Sequence, residues 1–191
     1  MGKKTALLAL WCSLLCIIYF GLYRGFAYKL FGTTGDEAFI AFCALALFLG
    51  QDGNPKKFLN FVCSGICGAV WGFIFKTGVG LLMPLFGYAG GPPADSIFVP
   101  AALIDIFVFT TLAIIVHTFL LRKTIVNNMP YVFLGVATTF SGLAASGMNG
   151  TSDAFGIVHI SVLLILGILI GTGTTALAPK IFGPPPPPAA E

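Results

Sequence analysis

The stretch IFVPAALIDIFVFTTLAIIVHTFLL, residues 97–121, decides the architecture. Apart from one carboxylate, Asp105, and one histidine, His117, it is apolar or hydroxyl-bearing throughout. A helix crosses the hydrocarbon core of a bilayer with about 20 apolar residues, and this run is long enough. Five more apolar segments surround it, at 5–24, 37–50, 57–76, 130–147 and 155–177. Segment 37–50 is short for a span and leaves open a full crossing or a re-entrant hairpin. Segment 130–147 is short and interrupted by Gly135 and Gly142. The pattern predicts an all-α integral membrane protein with six transmembrane helices, forming one domain over residues 1–178. Residues 179–191, with Pro184 to Pro188, form a proline-rich tail expected to be extended polyproline in water.

Composition agrees with this environment. Of 191 residues, 57% are hydrophobic and 9% charged, with a mean hydropathy of +0.96. A water-soluble domain carries about 25% charged residues, so this chain has too few to cover a surface in water. The net charge is +3 and the basic residues are scattered, which excludes the basic stripe of a nucleic-acid binder. There is no glycine-rich phosphate loop, no paired-histidine metal helix and no nucleophile elbow. No enzymatic activity and no cofactor are expected. Cys12, Cys16, Cys43, Cys63 and Cys67 all lie in apolar runs and read as small packing residues rather than metal ligands.

The N-terminal run, Lys3-Lys4 followed by residues 6–23, lacks a small-x-small cleavage site and reads as a retained first helix. With the N-terminus inside, Lys3, Lys4, Lys56, Lys57, Arg122, Lys123 and Lys180 fall on the inner side, and Arg24, Lys29 and Lys76 on the outer. Positive residues favour the cytoplasmic side, so both termini are expected in the cytoplasm of a bacterial-type plasma membrane. Helix starts are marked by a capping box at Thr34–Glu37, by Asn54-Pro55, by Asp95 or Ser96, by Pro130 and by Asp153. Asp36, Glu37, Asp52, Asp95 and Asp153 therefore read first as capping residues.

The two halves can be superposed in sequence. Aligned without gaps, FIAFCALALFLG (39–50) sets Phe48 against Phe140 and Gly50 against Gly142 of YVFLGVATTFSG (131–142). Segment three then falls on segment six, with Ser64 near Ser161 and Gly72 near Gly171. Three spans per copy invert the second copy, which makes a 3+3 inverted repeat.

The stretch Met129–Gly142, together with Phe42-Cys43 to Gly50, a Gly/Pro turn and a small-residue helix ending Gly68-Ala-Val-Trp71, resembles the YcdZ-like family of small bacterial inner-membrane proteins. The resemblance covers roughly residues 35–175. It implies a polytopic plasma-membrane protein from a group without assigned function, and it brings no catalytic residues. The long 77–97 loop and the polyproline tail depart from that family's pattern.

Candidate site residues follow from cost. A carboxylate within a span is expensive and marks a pathway or a paired site. Asp105 is such a group, and His159, a turn into segment six, is its expected partner. Short or glycine-interrupted spans at matching places in two halves point to a transporter binding site. They bring in Thr138, Thr139 and Ser141 as hydroxyls, and Phe48 and Phe140 as a paired apolar constriction; ordinary packing explains these residues equally well. Ser64, Gly68 and Gly72 share one helix face and are expected to pack helices closely. His117, beside Arg122 and Lys123, reads as an interface residue. A small-solute channel or facilitative transporter, forming homo-oligomers in the lipid bilayer, is the leading expectation. The alternative is a non-transporting subunit or anchor of a larger complex, reached by a cytoplasmic partner through the Pro184–Pro188 tail.

Overall fold

The computed structural model describes residues 3–30, 36–87, 100–145 and 153–183, with the side chains of 3–5, 28, 36, 140–145, 153–155, 178–179 and 181–182, among them Asp36, Phe140, Ser141 and Asp153, outside that description. Among the described residues there are six helices and no strand. Helix α1 (Lys3–Leu22) continues through a π-turn (Tyr23–Ala27) into a last α-helical turn, Tyr28–Leu30. Then follow α2 (Phe39–Gly50), entered by a 3-10 turn, and α3 (Phe58–Leu82), extended by a 3-10 turn at Met83–Phe86. Next come α4 (Pro100–Ile115), closed by a second π-turn at Val116–Leu120, α5 (Met129–Ala145) and α6 (Asp153–Phe182).

Four stretches are long and apolar enough to cross a membrane: Ala6–Ala27, Pro55–Phe86, Pro100–Leu120 and Gly156–Leu177. The two short apolar helices, α2 and α5, pack between them. At 12 residues, α2 is about 18 Å long at 1.5 Å per residue, well short of a hydrocarbon core of about 30 Å. It is nonetheless a single uninterrupted helix that does not turn back. Its start meets α1, where the Tyr19 hydroxyl donates to the Ala38 carbonyl (3.0 Å), and its end meets the start of α5 at the far face.

Local chemistry sets the boundaries. Asn54 caps α3 by accepting from the Lys56 N–H (3.0 Å), with Pro55 in the first turn, as expected. Asp52 differs from its expected role. With φ of 65°, followed by Gly53 at 54°, it forms the left-handed turn between α2 and α3 instead of capping a helix, a conformation that Asp tolerates better than most residues. The sequence also passed over Asn128, whose side chain accepts from the Tyr131 N–H (3.3 Å) and so caps α5. Residues 77–86, read as loop, continue α3. Helix α6 runs past the expected boundary at 178 and stops where Gly183 turns left-handed (φ 79°). Thr34, Asp95, Ser96 and Pro184 to Pro188 lie outside the described residues.

Packing follows a regular pattern: α2 lies on α6 and α5 on α3, α1 lies on α6 and α4 on α3, while α3 crosses α6 and α2 touches α5. The contact of α5 with α6 has no counterpart of similar extent between α2 and α3. The two closest seams run backbone against backbone. A Cβ at Gly68 would strike the Val132 carbonyl, and one at Gly167 would strike the Ala41 carbonyl. One turn on, Gly72 receives Val136 and Thr139, and Gly171 receives the Phe48 ring. Without side chains in the way, the helix axes approach closely and gain dispersion contacts, the main attraction between helices in lipid.

Candidate functional site

Each peripheral helix is held to its partner by polar side chains. In the seam between α1 and α6, the Trp11 indole N–H donates to the Gly173 carbonyl (3.2 Å). At the π-turn ending α1, the Tyr23 hydroxyl shares a hydrogen bond with His159 Nε2 (2.7 Å), both groups buried. Tyr19 stacks on Tyr23 at 5.9 Å between centroids. A bilayer-facing groove of about 330 Å³ opens beside these rings, lined by Leu15, Ile18, Leu166 and Ile170 among others.

The seam between α4 and α3 is built alike at its π-turn. Trp71 donates its indole N–H to His117 Nε2 (3.2 Å), and His117 Nδ1 meets the Val126 carbonyl (2.8 Å). His117 is therefore a buried strap holding the α4–α5 loop onto α3, at the end of α4 next to the loop that carries Arg122 and Lys123. A π-turn adds a residue to the helix, and in both places it turns a polar ring inward.

Asp105 is at the other end of this seam. It is fully buried, with one carboxylate oxygen resting on the backbone of Gly78, where a Cβ would collide with it and with the Phe109 ring. Neither oxygen has a hydrogen-bond partner among the described residues. Asp105 and His159 are thus not bonded to each other. Sequence alone places them at similar depth, but packing puts them in different seams, because α4 lies on α3 and α1 intervenes at His159.

The remaining candidates are dispersed. Thr138 donates to the Leu134 carbonyl of its own helix (2.8 Å). Thr139 is buried against Gly72, its hydroxyl without a partner among the described residues. Phe48 faces inward, edge-on to Phe61 at 5.6 Å, and Phe61 stacks on Tyr131 at 4.7 Å. These rings fill the centre, and the Tyr131 hydroxyl ties α5 to the Ala44 carbonyl of α2 (3.1 Å). The Phe140 side chain, expected to pair with Phe48, lies outside the described residues. In the seams Ala41 occupies the place of Val132 and Phe48 that of Thr139. Gly68 and Gly72 pack helices as expected, and Ser64 accepts from the Asn128 N–H (3.1 Å). Tyr23 escaped the sequence reading, and Glu37, expected to close a capping box with Thr34, has a buried carboxylate without a partner among the described residues.

Four membrane-length apolar helices enclosing two shorter ones define a helical, membrane-embedded protein. The chain belongs to the family described as a protein of unknown function, DUF1097, whose family model matches residues 9–179. Comparison with curated proteins finds no match, and comparison with solved structures finds none. An uncharacterised family was the expectation; the YcdZ-like likeness stands as a resemblance.

Proposed function

We propose that the protein is a small-solute channel or facilitative transporter of a bacterial-type plasma membrane, built as a 3+3 inverted repeat with six crossings and both termini cytoplasmic. The observation that carries this reading is the packing pattern. Exchanging α1, α2 and α3 with α4, α5 and α6 maps the α2–α6 seam onto α5–α3 and the α1–α6 seam onto α4–α3. It also maps one π-turn onto the other and the pair Gly68/Gly72 onto Gly167/Gly171. Inverted repeats with short central helices are the architecture of alternating-access transporters. On this reading the packed rings of Phe48, Phe61 and Tyr131 close the middle of the bundle, so the described conformation is a closed one. Homo-oligomerisation belongs to the same proposal, since α1 and α4 turn most of their apolar surface outward.

The test is flux into proteoliposomes of the purified chain, across small neutral molecules, carboxylic acids and ions. Selective or saturable flux that falls in Thr139→Val or Asp105→Asn supports transport. Folded, reconstituted protein that moves nothing overturns it and favours the subunit reading, for which a stoichiometric, non-identical partner would be recovered from native membranes.

A further inference from the structure

Among the described residues, polar side chains at three places join a peripheral helix to its partner by a hydrogen bond: Trp11 to Gly173, Tyr23 to His159, and His117 to Trp71. Asp105, resting on Gly78, has no such bond among them. Among the described residues, no charged group is within hydrogen-bond reach of it. On α3 the facing turns carry Phe75, Gly78 and the 3-10 extension Met83–Phe86, with Lys76 as their one charged residue, exposed and two positions from Gly78. On α4 the next turn carries Phe109, whose ring lies 5.6 Å from that of Phe75. Leu103, Ile104, Ile106 and Phe107 around Asp105 are exposed to the bilayer side.

We propose that Asp105 binds and releases a proton from within the bilayer, and that this proton is the coupling ion of the transport proposed above. The second half rests on the transport reading; the first does not. An unpaired carboxylate surrounded by hydrocarbon is not sustained, whereas the carboxylic acid is neutral and fits the slot. A metal cation such as sodium or calcium would need a shell of several oxygens, and the described residues around Asp105, glycine backbone and phenyl rings, do not supply one. Asp105 lies in the second turn of α4, about 8 Å from the start of the helix. A small outward displacement of α4 from the glycine surface of α3 would therefore bring the carboxyl to water. Gly78 permits the close fit that keeps water out in the closed state.

The experiment uses the full chain reconstituted in phosphatidylethanolamine–phosphatidylglycerol vesicles and treated with dicyclohexylcarbodiimide across a pH series. In the labelling step the acid's proton passes to a carbodiimide nitrogen, and the carboxylate oxygen bonds to the central carbon. The O-acylisourea so formed rearranges to an N-acylurea with no atom lost. The expected result is an adduct mapped by peptide mass spectrometry to Asp105, declining as the pH is raised. A carboxylic C=O infrared band is also expected, lost in Asp105→Asn while the circular dichroism is unchanged. No adduct at Asp105, an adduct indifferent to pH, or labelling confined to Glu37 overturns the proposal. Protein that labels in the expected way but moves no solute overturns transport and leaves the proton site standing. Solute flux with Asp105 unlabelled overturns the proton site alone.

Discussion

His117 shows how much chemistry one buried ring can specify. An indole N–H only donates and a carbonyl only accepts. Trp71 on Nε2 and Val126 on Nδ1 therefore require the neutral ring with its proton on Nδ1. Nitrogen NMR of histidine-labelled protein in micelles is expected to show that tautomer, and an Nε2-protonated ring would contradict the assigned bonds. Trp71→Phe leaves Nε2 without this donor and is expected to cost about 1–3 kcal/mol, read by unfolding in mixed micelles. Tyr131→Phe removes one hydrogen bond to the Ala44 carbonyl, at an expected cost of about 1 kcal/mol. None of these partners was legible in the sequence. Trp71 and His117 lie 46 positions apart, and no local periodicity connects them. The cost of a carboxylate in a span, by contrast, singled out Asp105 from its neighbours alone.

At the scale of helices, glycine acts in opposite ways according to what faces it. A Cβ at Gly68 meets the Val132 backbone, which cannot move aside, whereas one at Gly21 meets nothing within 4 Å. Gly68→Ala is expected to destabilise the bundle by about 1–3 kcal/mol through overpacking. Gly21→Ala is expected to be neutral, or to stabilise by about 0.5–1 kcal/mol by lowering the entropy of the unfolded chain. Equal effects at the two positions, measured by the same unfolding assay, would mean that the α3–α5 seam is not as close as described. The small-residue face Ser64, Gly68, Gly72 was readable from its four-residue spacing, but its partner was not. On the repeat proposed above, the seam contacts set Phe48 against Thr139, one residue from the offset the sequence suggests, because apolar helices align about equally well at adjacent offsets.

Across the whole molecule, the loops following α2 and α4 come together. Asn128 donates to Gln51 (2.9 Å), and Asn60 donates to the Ile125 carbonyl (2.8 Å). Lys56, Lys57, Arg122 and Lys123 are thereby gathered at one face of the bundle, while α3 ends and α4 begins at the other. A membrane-impermeant maleimide applied to intact cells carrying single cysteines, in a background lacking the native ones, is expected to miss Lys57→Cys and Lys123→Cys until the membrane is opened. Leu85→Cys, in the exposed 3-10 turn that ends α3, is expected to label from outside. Labelling of 57 and 123 from opposite sides would contradict the loop contacts, and labelling of both from outside would reverse the proposed orientation.

Composition and segment length were enough to determine the environment, the helical class and the approximate helix boundaries. These depend on hydrophobic transfer and backbone hydrogen bonding, which act over single residues and short windows. The sequence also identified Asp105 and the glycine face of α3, since a buried charge and a missing side chain have costs that do not depend on the partner. Which helices pair, how the register runs, and that His159 meets Tyr23 while Asp105 meets Gly78 were decided only by the tertiary structure. In hydrocarbon every apolar face is equally soluble, so polarity does not select a partner; close steric fit and a few buried hydrogen bonds do, and both exist only once the helices are assembled.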